Sequence, residues 1–269
     1  MATILIALAL KIVMTAGIVV AASIVVERSG PFIGALVASL PTAGGAALII
    51  LAFQHPPAFI AHSVIGSMVA IAMGTIFALS YAALAQRCSL LPSLGGAYLV
   101  WFGAAYLTLH VEWTAPRALL LDAVVFPLTI LLGRRFRVAG AVKRVTVTAT
   151  DIAWRAGVVT LCVLIVTAAS YSIGSFASGL FAFLPVAMGS FFFILHTRIG
   201  GPAAGSVGAH VQAPLIGLIM GLFTVHLLAV PVGVWWSYAI GLSIGIGWNA
   251  LLWLARRWRL NAASQVPEP

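Results

Sequence analysis

One carboxylate lies well inside an apolar stretch of this chain: Asp122, in RALLLDAVVFPL (residues 117–128). An ionisable group at that depth is costly to hold as a charge. It therefore carries a coupling proton or pairs with a cationic substrate, or it makes a structural pair with Lys11 or Arg117. Two further stretches, ASLPTAGG (38–45) and FLPVAMGS (183–190), set a proline and small residues inside apolar runs. Proline removes a backbone donor and clashes with the preceding turn, and lipid offers no water to repair the loss. Backbone N–H and C=O groups freed beside Pro41 and Pro185 can bind a solute or an ion. Ser39, Thr42 and Ser190 add hydroxyls there, and Gly44, Gly45 and Gly189 permit close approach. His210 and Gln212, in GAHVQAPL (208–215), are expected to face a kink at Pro214 and to line the same cavity. The competing reading of each proline is a kink that serves packing alone.

These groups need elements to hold them, and composition decides what kind. The chain has 269 residues, 62% hydrophobic and 7% charged. Soluble domains carry roughly 25% charged residues, so the expectation is an all-α polytopic membrane protein. Apolar runs long enough to cross a bilayer predict nine spans, approximately 4–26, 32–53, 61–85, 93–111, 117–133, 149–170, 174–196, 203–230 and 233–255. Residues 93–133 also admit a re-entrant hairpin in place of two spans. QHPP (54–57) and IGGPAAG (199–205) are expected as turns. With the C-terminus on the cytoplasmic side, twelve of the fourteen basic residues fall inside and only Lys11 and Arg117 outside, as the positive-inside rule demands. The N-terminus is then outside. The net charge of +9 is a topology signal, so no nucleic-acid partner is expected. Cys88 and Cys162 match no metal or redox spacing, and no cofactor or metal is expected.

The chain also repeats itself. Residues 30–51, GPFIGALVASLPTAGGAALIIL, match residues 174–195, GSFASGLFAFLPVAMGSFFFIL, at ten of twenty-two positions, the prolines included. The match continues through the next span at an offset of 143, with pairs such as Ser63/Ser206 and Gly74/Gly217. The organisation expected is a first membrane repeat (1–133), a basic cytoplasmic linker (134–148), a second repeat (149–258) and a tail (259–269). Five spans separate the two copies, an odd number, so they cross the membrane in opposite directions. The first span has a counterpart within the chain and is expected to be retained rather than cleaved as a signal.

YAALAQ (81–86), GPFIGALVASLPT (30–42) and GSMVAIAMG (66–74) resemble small bacterial inner-membrane proteins of the GlpM type. The resemblance covers about one repeat. It implies a bacterial inner-membrane location and carries no activity with it. The doubled architecture is similar to inverted-repeat secondary transporters. No ATP-binding loop or hydrolase signature is present, so the chain is not expected to be an enzyme. The function expected is secondary transport of a small solute, anionic or neutral, by alternating access between the second and seventh spans, with Asp122 coupling an ion. The bilayer and the solute are the expected partners, and a homo-oligomer is compatible with the sequence. A scaffold subunit of a larger complex is the alternative, with an intramembrane enzyme behind it.

Overall fold

The computed structural model describes residues 9, 11–17, 20–21, 42–137, 148–210 and 212–263. Among them every regular element is helical: α1 (Thr42–Gln54), α2 (Pro57–Leu84), α3 (Leu90–Leu109), α4 (Ala115–Gly133) with a 3₁₀ turn (Arg134–Phe136), α5 (Ala149–Ala182), α6 (Val186–Ile199), α7 (Gly201–Gly208), α8 (Gln212–Leu228) and α9 (Val234–Ala263). Among the described residues six stretches are long and apolar enough to cross a membrane, and the chain is a helical multi-pass membrane protein.

The count differs from nine for identifiable reasons. The first expected span and the first half of the second fall largely outside the described residues. The sixth and seventh merge into one run, Ala149–Ile199, of 51 residues. A straight helix of that length would measure about 76 Å, more than twice the hydrocarbon core of about 30 Å. It is interrupted instead, at Gly174 (φ 79°, ψ 174°) and again between α5 and α6. Gly174 takes a conformation that side chains oppose. Helices α3 and α4, of 20 and 19 residues, are each long enough for a full crossing.

Helix α2 is the axis of the bundle. It is apolar or small on every face, the pattern of a helix buried all round, and most of its residues from Ile60 to Ala82 are buried inside the protein. Helices α1, α3, α4, α5, α7 and α8 all pack on it. The outer helices turn Leu99, Leu120 and Trp236 outward, as lipid contact requires. The closest packing joins α2 to the last turns of α5, where Gly66 meets the backbone of Phe176 and Gly179 meets that of Ser63. The Ser67 hydroxyl donates to Gly179 O across this seam at 3.1 Å.

Helix α2 and the α7–α8 pair lie antiparallel. The start of α2 meets the end of α8, where His226 Nδ1 is 2.7 Å from Ala61 O. The end of α2 meets α7, with Gly205 against Ala82 and Gly201 against Ala85. Helix starts also recur at one spacing: α2 and α7 begin at 57 and 201, α3 and α9 at 90 and 234, each pair 144 residues apart.

One corner fixes the Gly174 interruption. QHPP forms the expected turn between α1 and α2, with Pro57 in the first turn of α2, where a missing N–H is harmless. From that corner His55 Nε2 lies 2.8 Å from Ser170 Oγ, His62 Nδ1 2.7 Å from Ser175 Oγ, and Tyr171 donates to Gln54 O at 3.1 Å. Three contacts thus hold α5 on both sides of its break.

Two outcomes follow. A methyl group at Gly179 would overlap Ser63 O, whereas one at Gly74 on α2 meets nothing within 4 Å. Gly179→Ala should therefore cost about 1–3 kcal/mol and Gly74→Ala should be near-neutral, read as melting temperatures of the purified protein in detergent. Burial also holds the His55 imidazole below its ordinary value of 6.5. The unfolded chain then takes up this proton first, so the contribution is present above pH 6.5 and is lost as pH falls through the lowered folded value. His55→Gln, which keeps a polar partner for Ser170, should melt with a weaker acid dependence than wild type.

Candidate functional site

The second proline stretch is a true helix break. Helix α5 ends at Ala182 and α6 begins at Val186, with Phe183, Leu184 and Pro185 between them. The freed amides turn back on the chain: Leu184 N–H donates to Phe181 O at 3.1 Å and Val186 N–H to Leu184 O at 2.7 Å. Pro185 O accepts from Gly189 N–H at 2.8 Å and from the Tyr98 hydroxyl of α3 at 3.2 Å. Gly189 is required here, because any side chain would overlap that hydroxyl. Trp101, one turn along α3, is fully buried with its ring 6.1 Å from that of Phe181. Protein therefore covers the break on this side.

On its other side the break meets α1. The Phe183 ring lies over Gly44, where a methyl group would come within 2.5 Å of it. The structure thus brings Gly44 and the Pro185 break together. Pro41 and Ser39 lie outside the described residues, as does the Thr42 side chain. Ser190 is buried and donates to Ala187 O at 2.9 Å, within its own helix.

Beside this junction is a cavity of about 260 Å³ between α1, α8 and α9. Its wall includes Gly45, Leu48 and Ile49 from α1, Pro214 and Leu218 from α8, and Trp235, Tyr238, Leu242, Gly245 and Asn249 from α9. The lining is almost wholly apolar. Tyr238 spends its proton on Leu48 O at 2.9 Å, which ties α9 to α1 at the rim. At the 144-residue spacing of the helix starts, Gly189 corresponds to Gly45, Tyr98 to Leu242 and Trp101 to Gly245. Where Tyr98 and Trp101 fill the space beside Gly189, Leu242 and Gly245 leave space beside Gly45.

The other expected site residues sit elsewhere. His210 is exposed and its Nδ1 is 2.8 Å from Ser206 O, closing the end of α7. Gln212 is 1% exposed, and neither atom of its amide has a hydrogen-bond partner among the described residues. Neither residue lines the cavity. Pro214 does line it, but as part of the first turn of α8 rather than at a kink; this span leaves the helix at Ala209 and His210. Asp122 is 5% exposed on the inner face of α4 with neither oxygen paired among the described residues. Arg117 instead donates to Glu112 O at 2.5 Å, and Lys11 makes no pair with Asp122 either.

Sequence reasoning missed the contribution of α9, whose Trp235 and Tyr238 read as a membrane-interface belt. A signal was present in the paired glycines GLIMG (217–221) and GLSIG (241–245), a spacing that lets membrane helices approach closely. Gly221 and Gly241 do meet backbone to backbone, and the cavity opens beside them. Comparison with known protein families, characterised proteins and solved structures finds no match.

Proposed function

We propose that this protein is a secondary transporter of a small neutral solute, working by alternating access at the junction of α1 with the α5–α6 break. The observation that carries this is the apolar cavity at Gly45, set against a helix interruption that packs on Gly44. The repeat adds to it. The antiparallel course of α2 and α7–α8, and the recurrence of helix starts at 144 residues, are what two inverted copies within nine spans would produce. Two such copies need not hold the same shape at one moment. In the conformation described, Tyr98 closes one side and Leu242 leaves the other open. Exchange of those roles would move the opening across the membrane.

The lining narrows the substrate. An anion placed against leucine, isoleucine and glycine would lose its hydration without replacement, which favours a neutral and largely apolar molecule, with Trp235 offering a ring face. Inner-membrane placement with the C-terminus cytoplasmic rests on the distribution of arginines. A scaffold subunit would have no need of such a cavity.

The test is a thermal-stabilisation screen of the purified protein, wild type beside Leu242→Trp. Leu242 is 49% exposed, so a larger side chain there fills the cavity without forcing the core. A neutral solute at about 100 times its Kd should stabilise wild type by about 2.7 kcal/mol and leave the variant unchanged. The same solute should then exchange across vesicles holding the wild-type protein and not across those holding the variant. Equal stabilisation of both proteins, or a response only to charged solutes, contradicts the proposal.

A further inference from the structure

The buried face of α4 carries an ordered set of polar groups that the cavity does not use. Ala118, Asp122, Val125, Thr129 and Gly133 share that face, at steps of three or four residues. Asp122 and Thr129 are its buried polar side chains. Two turns on, Thr129 Oγ1 lies 3.3 Å from Thr75 Oγ1 of α2. One turn further, the Gln212 amide covers Gly133, at whose Cβ position its oxygen and nitrogen would be 3.6 and 3.7 Å away. Beyond it, Arg137 closes the series, donating to Ala209 O through Nε at 3.3 Å and Nη2 at 3.1 Å. From Gly133 to Asp122 is about 16 Å along the helix axis, roughly half the hydrocarbon thickness.

Two of these side chains stand out because they are buried and unpaired. A buried amide and a buried carboxyl normally have hydrogen-bond partners, and leaving them without is costly. Gln212 and Asp122 have none among the described residues. Among the described residues no charged neighbour compensates Asp122. On α2, His62 is bound to Ser175 and Tyr81 to His196; on α8, His226 is bound to Ala61 O; on α4, Arg117 is exposed and bound to Glu112 O. Arg134, Arg135 and Arg137 are exposed at the end of the helix.

We propose that Asp122 is a proton-carrying carboxyl, and that the Thr129–Thr75 pair and Gln212 mark its route to the basic end of α4. Buried and with no partner among the described residues, Asp122 holds its proton as the neutral acid in this proposal. The step is an ionisation: the O–H bond breaks, its electron pair stays on the carboxylate, and the proton passes to water entering along the polar line. Reprotonation from the opposite side of the membrane completes the cycle. The purpose, driving solute with a proton gradient, rests on the transport reading above; the proton site itself does not.

Infrared spectroscopy of the full-length protein in lipid tests both parts. The chain has only five Asp and Glu residues, so the carbonyl band of a protonated carboxylic acid at neutral pH is assignable. Wild type should show the band, D2O should shift it, and Asp122→Asn should abolish it. Its rate of deuteration should fall about tenfold in Thr129→Val and in Gln212→Leu, the cost of one lost polar contact on the route. A missing band, or one that persists in Asp122→Asn, overturns the proton site. Unchanged deuteration in both route variants overturns the path. With the stabilising solute in hand, uptake driven by a pH gradient should be lost in Asp122→Asn. If wild type moves no solute at all, the transport reading falls, while the infrared result still decides the proton site.

Discussion

An interrupted backbone survives in hydrocarbon only where protein covers it. Much of the architecture here follows from that constraint. The chain between α5 and α6 leaves the helix at Phe183 and resumes it at Val186. It is held at depth because Tyr98 takes Pro185 O from one side and Gly44 receives the Phe183 ring from the other. The cover must come close, and so the contact points are glycines: Gly189 under the tyrosine, Gly44 under the phenylalanine, and Gly66 with Gly179 where α2 supports the preceding turns. Helix α2 is buried because it serves as the floor of this arrangement, with six other helices leaning on it.

In the transport reading, the same constraint links packing to function. A break covered equally on every side would be a packing device only. Here the cover is unequal. The tyrosine and tryptophan of α3 occupy one side, while the corresponding stretch of α9 offers leucine and glycine, and a cavity results. A protein that alternates between two such arrangements needs contacts that are individually weak and easily exchanged. One hydroxyl on one carbonyl, worth about 1 kcal/mol net, is a contact of that kind.

The broad architecture was legible in the sequence because lipid imposes simple rules. Long apolar runs became helices and QHPP became a corner, while the boundary expected between the sixth and seventh spans is a kink at Gly174 within one helical run. The proline stretch at 185 was legible as a break because proline acts locally. What was illegible depended on partners distant in the chain. The turn at Ala209 and His210 in the eighth span coincides with Arg137 reaching Ala209 O, a contact across 72 residues with no local signature. Pro214 misled because a proline in the first turn of a helix costs nothing, so it marks a beginning as readily as a kink. The cavity was missed because half of its wall belongs to α9, whose aromatic residues also satisfy the rules for a membrane interface. Asp122 stood out from the sequence as a buried carboxylate, but that it lacks a partner among the described residues depends on the fold, in which Arg117 is bound to Glu112 O instead.

The account stands on the junction between α1 and the α5–α6 break being reachable from each side of the membrane in turn. Single cysteines at Ala43 and at Ala187, placed in a chain whose Cys88 and Cys162 are changed to serine, measure this directly with a membrane-impermeant thiol reagent. The account predicts labelling of each cysteine from both sides of sealed vesicles, with solute shifting the balance between the two sides. Labelling from one side only, unaffected by solute, would contradict it.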